Sequence, residues 1–375
     1  MQPFVYAHAA SPAQALAAGA QPDTAFLAGG TELLNWLRLG IAAPARILDI
    51  TGLDALQRIE ALPQGGLRIG ALVRLNDAAQ HKSVMRDYPV LSQAILKAAS
   101  PQLRNLATIG GNPLQKTRCA YFRAEEILPC NKRKPGSGCS ALHGINDKHA
   151  IFGWTQDCVA TQPSDPAVAL AALDAVFVTE HRDGGRRIPA TQFHTLPDQR
   201  PQDHNVLRHG ELITAIELSE PAHRSAYLKV RERESYEYAT VSAAAVLELE
   251  GATIRRARVA LGSVAHRPWR LNATEQRLAG LASTTATRCA QRSRLRSRKR
   301  ARCRTTPTRF RWRKMPRCAS SNRRKDAVMS IGQPLPRPDG RAKVTGRARY
   351  KTVKFYKGAM SESHRRRYSR TGRSL

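Results

Sequence analysis

An abrupt change in charge and apolar content at residue 281 constrains this 375-residue chain more than any other feature. Residues 1–280 carry 31 Lys and Arg against 26 Asp and Glu, whereas residues 281–375 carry 30 against 3. The formal net charge of +32 therefore divides into +5 for the first part and +27 for the second. The first three quarters have the charge balance of an ordinary globular protein, and the excess belongs to a separate basic segment.

The composition and the N-terminus exclude several classes of protein. The chain is 42% hydrophobic, which suffices for a core and, at this length, for two or three domains. No apolar run approaches the roughly 20 residues of a membrane span. The N-terminal MQPFVYAHAASPAQALAAGA lacks a basic stretch followed by a continuous apolar one, so we expect no signal peptide of its own.

Residues 281–328 hold too few apolar side chains for a core. Only six of these 48 residues are Leu, Ile, Val, Phe, Met or Trp, and no helical or strand period runs through them. Three interpretations remain open: a disordered tail, an arm that binds nucleic acid through arginines and aromatic rings, and translation of a GC-rich gene out of frame. The composition favours the frame error, so nucleic acid is not an expected partner.

Residues 1–280 alternate short apolar runs with helical periods, which predicts a mixed α/β protein. Strands are predicted at Ala45–Ile50, Leu67–Leu72, Val176–Glu180, Leu212–Leu218, Ala226–Val230, Val241–Glu248 and Arg258–Leu261. Helices are predicted at Thr31–Leu39, Leu75–Gln80, Val90–Ala99 and Asp165–Leu173, with Asn76, Ser100 and Ser164 as caps or turn starts. The closely spaced strands after residue 223 predict a separate α+β layer.

Two glycine-rich turns predict a diphosphate site. The first comprises Phe26, Leu27, Ala28, Gly29, Gly30, Thr31, Glu32 and Leu33, and the second contains Thr108, Gly110, Gly111 and Asn112. Glycines let the backbone approach an anion closely, and a helix that follows offers unpaired amides. Each turn alone is typical of a tight turn, but two of them about 80 residues apart are better explained by loops that clamp one diphosphate.

The motifs AGGTELL, LRIGALVRLND and LRNLATIGGN, in this order, resemble the FAD-binding subunit of the molybdenum hydroxylases, the xanthine dehydrogenase/aldehyde oxidoreductase family. The likeness covers residues 1–280 and is closest to the flavin subunits of bacterial periplasmic aldehyde oxidoreductases. It implies FAD as cofactor and an α/β and α+β architecture, the two-subdomain fold of the vanillyl-alcohol-oxidase/CO-dehydrogenase flavoprotein type. The implied domains are 1–222, with subdomains at about 1–58 and 59–222, and a truncated α+β C-terminal domain at 223–280.

The resemblance extends to three later segments. ATQPSD matches the family segment whose aspartate, here Asp165, contacts the flavin side, and YLKVR matches the strand whose lysine, here Lys229, lies near the isoalloxazine ring. VALGSVAHRPWR matches the start of the family's C-terminal domain. The helices expected after Trp269 are replaced by the basic segment.

Four cysteines, Cys119, Cys130, Cys139 and Cys158, lie in one region. Their spacing differs from that of zinc ribbons or ferredoxins, and on spacing alone free thiols, disulfides or a metal site remain open. The basic, glycine-rich loop NKRKPGSG between them would suit an anionic thiolate cluster. The resemblance implies that this insertion, about 117–158, holds a [4Fe-4S] cluster. Surface or capping roles are expected for His143, His149, His194 and His266.

The implied function is electron transfer within an oxidoreductase. In the family, a molybdenum-cofactor-binding catalytic subunit oxidises the substrate, and electrons pass through a [2Fe-2S] subunit to FAD and on to an external acceptor, in a heterotrimer. No nucleophilic triad or paired carboxylates point to catalysis by this chain alone. A stand-alone FAD-dependent oxidase is the alternative, and it would need substrate-binding residues and a larger cap domain.

Met329 opens MSIGQPLPRPDGRAKVTGRARY, which resembles the first residues of the molybdenum-binding subunit of the same family. The beginning of a molybdenum-binding subunit thus follows the end of a flavin subunit in one chain. This order suggests two adjacent genes joined by a frameshift. The compartment is expected to be the bacterial periplasm, reached with a partner subunit, or the cytoplasm.

Overall fold

The computed structural model describes residues 1–198 and 200–283. These residues form three β-sheets, and the strands of each sheet come from a different part of the chain. The basic segment from residue 284 onward, including Met329–Tyr350, lies outside the described residues, so its interpretations stay predictions.

A three-stranded parallel sheet, in the order β1-β3-β2, opens the chain. Its elements are β1 (Val5–His8), α1 (Pro12–Gly19), β2 (Thr24–Leu27), α2 (Leu33–Arg38) and β3 (Arg46–Asp49). Ser11 caps α1 by accepting a hydrogen bond from the Gln14 amide. Ala15 and Leu48 bury their side chains in the small core of this unit, so α1 is fixed on the sheet.

An antiparallel five-stranded sheet follows, in the order β4-β5-β8-β6-β7. Its strands are β4 (Ile59–Ala61), β5 (Leu67–Gly70), β6 (Val176–Glu180), β7 (Arg186–Pro189) and β8 (Leu212–Leu218). The helices along this part of the chain are α3 (Leu75–Gln80), α4 (Lys82–Asp87), α5 (Pro89–Leu96), α6 (Pro101–Arg104), α7 (Asp165–Ala172) and α8 (Ala190–Phe193). All seven residues of β8 are buried, in keeping with its central position.

The last sheet is antiparallel, in the order β12-β11-β10-β9. It contains β9 (Ser225–Val230), β10 (Val241–Glu250), β11 (Thr253–Gly262) and β12 (Trp269–Arg270), and α9 (Asn272–Leu278) follows. Buried and partly buried residues alternate along the first half of β10, which is the period of a strand with one face on the core. This alternation sets the register in which Lys229 of β9 lies opposite Ser242.

Helix α7 lies where the larger sheets meet. Ser164 caps it by accepting a hydrogen bond from the Ala167 amide, and all eight of its residues are buried. Its small side chains allow close packing, because Val168 lies so near Gly262 of β11 that a β-carbon there would be 2.4 Å from it. One hydrophobic core joins α5 and α7 to both sheets, and burial of each Leu, Val or Ile stabilises it by about 1.5–3 kcal/mol.

The structure confirms every predicted strand, with Val176–Glu180 and Leu212–Leu218 matched at both ends. Ser100 and Ser164 cap helices as predicted. The prediction of Asn76 as a cap was wrong, because Asn76 lies inside α3 and the residue before that helix is Arg74.

The prediction that no helix follows Trp269 was also wrong. Helix α9 forms there, anchored because Glu275 accepts hydrogen bonds from Arg270 and from the Val259 amide.

Candidate functional site

A cavity of about 860 Å³ lies where the ends of the three sheets and their loops meet. Both glycine-rich turns contribute to its wall, as do Asp165, Lys229 and Cys119. The residues that line the cavity are scattered through the sequence between Ala25 and Ser263, so no single continuous motif builds it.

The first turn leads from β2 to α2. Gly30 adopts a positive φ of 69°, a conformation that glycine reaches without strain. A β-carbon at Gly29 would lie 2.0 Å from the Leu106 carbonyl oxygen, so only glycine lets this turn touch the chain that leads into the second turn. The first turn therefore lies directly against the chain that enters the second turn, and this keeps the two turns close, as a shared diphosphate would require.

The first turn offers hydrogen-bond donors to an anion. The backbone amides of Gly29, Gly30 and Thr31 donate to no acceptor among the described residues. Helix α2 has only six residues, so its dipole is small and the amides themselves make the turn suitable for an anion. The chemistry of the turn thus fits a diphosphate.

The second turn is held rigid from inside. The Thr108 hydroxyl accepts a hydrogen bond from the Gly111 amide at 3.2 Å, and the Gly110 amide donates to the Ala71 carbonyl at 2.9 Å. The Ser164 hydroxyl donates to Asn112 Oδ1 at 2.6 Å. Because Ser164 also caps α7, this hydrogen bond ties the second turn to the start of the helix that carries Asp165.

Asp165 and Lys229 form a buried ion pair in the cavity wall. The Lys229 Nζ donates to Asp165 Oδ2 at 2.7 Å, and the Tyr227 hydroxyl donates to Asp165 Oδ1 at 2.5 Å. Burial raises the pKa of the Asp165 carboxyl, while Lys229 and Tyr227 act in the opposite direction. Burial also raises the pKa of Tyr227 well above its ordinary value, so its hydroxyl remains a donor.

A second lysine supports this pair. Lys97 Nζ donates to the Tyr227 carbonyl at 2.9 Å, and Lys229 Nζ donates to the Lys97 carbonyl at 3.0 Å. Burial, followed by the nearby charge of Arg231, lowers the pKa of Lys97. The arrangement holds the Lys229 ammonium in one position at the cavity, a role that the sequence alone did not reveal for Lys97 and Tyr227.

The structure brings together almost all of the residues predicted to bind the cofactor. Phe26, Ala28, Gly29, Gly30, Thr31, Glu32, Leu33, Thr108, Gly110, Gly111, Asn112, Asp165 and Lys229 line the cavity. Leu27 is not in the cavity wall. It ends β2, and its carbonyl accepts a hydrogen bond from the Ile50 amide.

Sequence reasoning missed part of the wall. Trp36 of α2 and the segment after β9, including Arg233, Tyr236 and Tyr238, line the cavity. The charged and aromatic run RERESYEY directly after Lys229 is the signal that could have identified this segment, because an irregular stretch of such residues beside a site residue commonly contacts ligands.

The four predicted cysteines lie in one region and carry free thiols. Cys130 and Cys139 pair across an isolated β-bridge, and Cys139 and Cys158 are joined by a hydrogen bond between their side chains. Cys130 and Cys139 also lie near enough to Cys119 for their charges to raise the pKa of its thiol, although burial is the main cause of its rise to about 11. Residues up to 39 positions apart in sequence are thus brought together.

A partly buried cation accompanies the cysteines. Lys132 Nζ donates to the carbonyls of Pro201 and Asp203 at 2.8 and 2.9 Å. Burial lowers the pKa of Lys132, while nearby Cys158 and Cys130 raise it. Thiolates with a cation beside them are the donor chemistry of an iron–sulfur site. Within residues 1–198 and 200–283, however, no three His, Cys, Asp or Glu side chains form a group that could hold a metal ion.

Three of the four histidines expected in surface or capping roles are buried. His149, His194 and His266 have at most 8% of their surface exposed. A hydrogen bond joins His194 Nε2 to the Pro113 carbonyl oxygen at 2.8 Å, and burial lowers the pKa of His194 to about 4. The expectation of surface roles was therefore wrong for these residues, and His194 supports the loop that follows the second turn.

Family comparison agrees with this architecture. Residues 2–221 match the FAD binding domain in molybdopterin dehydrogenase, and residues 226–298 match the CO dehydrogenase flavoprotein C-terminal domain. The chain belongs to the FAD-binding subunits of the molybdenum hydroxylase family, and it is an oxidoreductase subunit. The described residues contain no helix long and apolar enough to cross a membrane.

Individual relatives support the same class. The chain is 48% identical over 281 residues to the aldehyde oxidoreductase FAD-binding subunit PaoB of Escherichia coli K12. This alignment covers 74% of this chain and 86% of PaoB. It is 28% identical to the glyceraldehyde dehydrogenase medium chain of Sulfolobus acidocaldarius, over 69% of this chain and 74% of that one. The carbon monoxide dehydrogenase structure from Hydrogenophaga pseudoflava aligns with a TM-score of 0.58 and 26% identity, over 78% and 86% of the two chains.

Proposed function

We propose that this chain is the electron-transfer subunit of a molybdenum-containing aldehyde dehydrogenase. It would accept electrons from a [2Fe-2S] subunit, hold them on FAD and pass them to an external acceptor, while the molybdenum-cofactor-binding subunit oxidises the aldehyde. The observation that carries the proposal is one cavity in which both glycine-rich turns meet the Asp165–Lys229 pair. The likeness to an aldehyde oxidoreductase subunit supports the choice of substrate class.

Each turn has a distinct role in this proposal. The free amides of Gly29, Gly30 and Thr31 would bind the FAD diphosphate, and the rigid second turn at Thr108–Asn112 would close on its other side. Lys229 would lie near the isoalloxazine ring, where its positive charge favours the anionic reduced flavin. FAD, when bound, supplies the ability to take electrons singly and release two together.

We also propose that Cys119, Cys130, Cys139 and Cys158 hold a [4Fe-4S] cluster. Four free cysteines in one region, two of them buried and two partly buried, with Lys132 beside them, support it. Cys139 and Cys158 share a hydrogen bond between their side chains, and the backbones of Cys130 and Cys139 pair across a β-bridge. A cluster would have to draw all four thiols together. The rest of the insertion is held in place because Asn131 Nδ2 donates to the Asp157 carbonyl and Arg133 Nη1 to the Ala124 carbonyl.

Expression with candidate partner subunits tests the electron-transfer role. The full chain should copurify with one FAD and bring down a molybdenum-containing and a [2Fe-2S] subunit, and aldehyde should reduce its flavin only when both are present. Flavin reduction by aldehyde in the isolated chain would instead establish a stand-alone oxidase. Fractionation of the producing cells decides between the two proposed compartments, periplasm and cytoplasm.

Anaerobic purification tests the cluster separately. The chain should then contain about four irons and show a broad absorption band near about 400 nm, as expected for a thiolate-bound cluster. Iron-free protein with full FAD would refute the cluster while leaving the flavin role intact.

A further inference from the structure

Glu32 directly follows the Gly29–Thr31 turn, and its side chain contacts two arginines that lie much later in the sequence, Arg118 and Arg123. Its Oε2 accepts hydrogen bonds from Trp36 Nε1 at 2.7 Å and from Arg123 Nη2 at 3.0 Å. Its Oε1 contacts the Arg118 guanidinium. The carboxylate is therefore held between two arginines, with only 14% of the side chain exposed.

Both arginines belong to the segment Lys116–Arg123, which contains Cys119. Arg123 also donates within this segment, from Nε to the Thr117 carbonyl at 2.8 Å and from Nη2 to the Lys116 carbonyl at 3.1 Å. The Arg123 guanidinium thus binds Glu32 and, at the same time, two backbone carbonyls of its own segment. Loss of the Glu32 charge would release the loop from the turn.

Two further contacts hold the segment Lys116–Arg123. The Lys116 ammonium lies 4.7 Å from the centre of the Trp36 ring, and the Arg118 guanidinium lies 4.6 Å from the centre of the Tyr238 ring. Cation–π contacts of this kind are strengthened by burial. The first contact joins α2 to the segment Lys116–Arg123, and the second joins the same segment to the stretch after β9.

We propose that Glu32 is a positioning residue that couples occupation of the first turn to the ordering of the segment Lys116–Arg123. A diphosphate bound to the amides of Gly29, Gly30 and Thr31 fixes the backbone of Glu32, and the carboxylate in turn fixes Arg118 and Arg123. By thermodynamic reciprocity, an ordered segment strengthens FAD binding by the same factor. The inference rests on the proposed diphosphate position, but it does not require a cluster on the cysteines.

Hydrogen exchange of the full-length chain, with and without FAD, tests this coupling. The amides of residues 120–123 are the readout because these residues do not line the cavity, so FAD cannot shield them directly. We expect FAD to slow their exchange at least about fivefold, the lower range of typical coupling between sites. In Glu32→Gln this slowing should be lost, and in Glu32→Asp, which keeps the charge, it should be partly retained.

Glu217→Gln is the matched control. Glu217 also accepts hydrogen bonds from two arginines, Arg68 and Arg187, but it lies on β8 outside the cavity wall. This variant should lose stability and keep the full response of residues 120–123 to FAD. Equal slowing in Glu32→Gln and the wild type, or no slowing in a wild type that binds FAD, would overturn the coupling alone. A wild-type chain that binds no FAD would overturn the proposed function as well.

Discussion

The Lys229 ammonium lies 2.7 Å from the Asp165 carboxylate, and their side chains are only 2% and 5% exposed. Two opposite charges are thus buried together at the wall of the cavity. Because desolvation opposes each charge alone, each partner depends on the other, and the Tyr227 hydroxyl stabilises the pair further by donating to Asp165. The pair therefore links the stability of the fold to the electrostatics of the flavin site.

Replacement of Lys229 by methionine should affect both stability and redox potential. An unpaired buried carboxylate destabilises a fold by about 3–5 kcal/mol, which denaturant unfolding measures. The two-electron flavin potential should fall, by about 30 mV for each 1.4 kcal/mol of lost charge stabilisation. The exposed Lys82→Met is the control, and an unchanged potential in Lys229→Met would place Lys229 away from the ring.

Replacement of Tyr227 by phenylalanine should weaken the pair without removing either charge. Loss of a hydrogen bond to a charged group is expected to destabilise the fold by about 1.5–3 kcal/mol. FAD should still bind, because Tyr227 is not in the cavity wall. Unfolding curves and flavin content of the purified variant check this, and wild-type stability would show that the hydroxyl is dispensable.

Replacement of Gly29 by alanine should abolish FAD binding. The added β-carbon would lie 2.0 Å from the Leu106 carbonyl oxygen, so the two turns must separate. Gly52→Ala is the matched control because a β-carbon there meets nothing within 4 Å. The ratio of flavin to protein absorbance in the purified variants is the measurement, and full flavin content in Gly29→Ala would contradict the clamp.

Stability should fall as the pH is lowered from about 6.5 to about 4, partly because of His194. Burial lowers its pKa to about 4 in the folded state, whereas the unfolded chain takes up a proton near about 6.5. Protonation of the unfolded state therefore draws the equilibrium toward unfolding in this window, by up to about 3 kcal/mol. His194→Gln should flatten the profile of unfolding free energy against pH, and the exposed His143→Gln should leave it unchanged.

Serine variants should distinguish the proposed cluster ligands from the cysteines of the basic segment by their iron content. Cys119→Ser and Cys158→Ser should lower the iron content of anaerobically purified protein, because a cluster with four thiolate ligands loses one of them. Cys289→Ser, in the basic segment, should keep the wild-type iron content. Equal iron in all three variants would contradict the proposed ligands.

Local sequence patterns predicted much of the fold and of the site. The alternation in Val241–Glu248 and the capping serine before Asp165 depend on neighbouring residues only, so they are readable from the chain itself. The two Gly-Gly turns were visible as a local pattern, but only Gly30 needs glycine for its backbone conformation, with a φ of 69°. Gly29 and Gly110 need it because Leu106 and Ala71 lie against them, which the sequence does not show. Short elements such as β4 and β12 were missed because pairing with a longer neighbour stabilises them.

By itself, the sequence determined the periodic elements, the two glycine-rich turns, the grouping of the four cysteines and the boundary of the basic segment. Tertiary structure alone decided which distant side chains meet: Asp165 with Lys229, 64 positions apart, and Glu32 with Arg123, 91 positions apart. It also decided that His194 is buried. The physical reason is that periodicity, capping and turn chemistry act between neighbours, whereas strand register and the burial of charge depend on how whole elements pack.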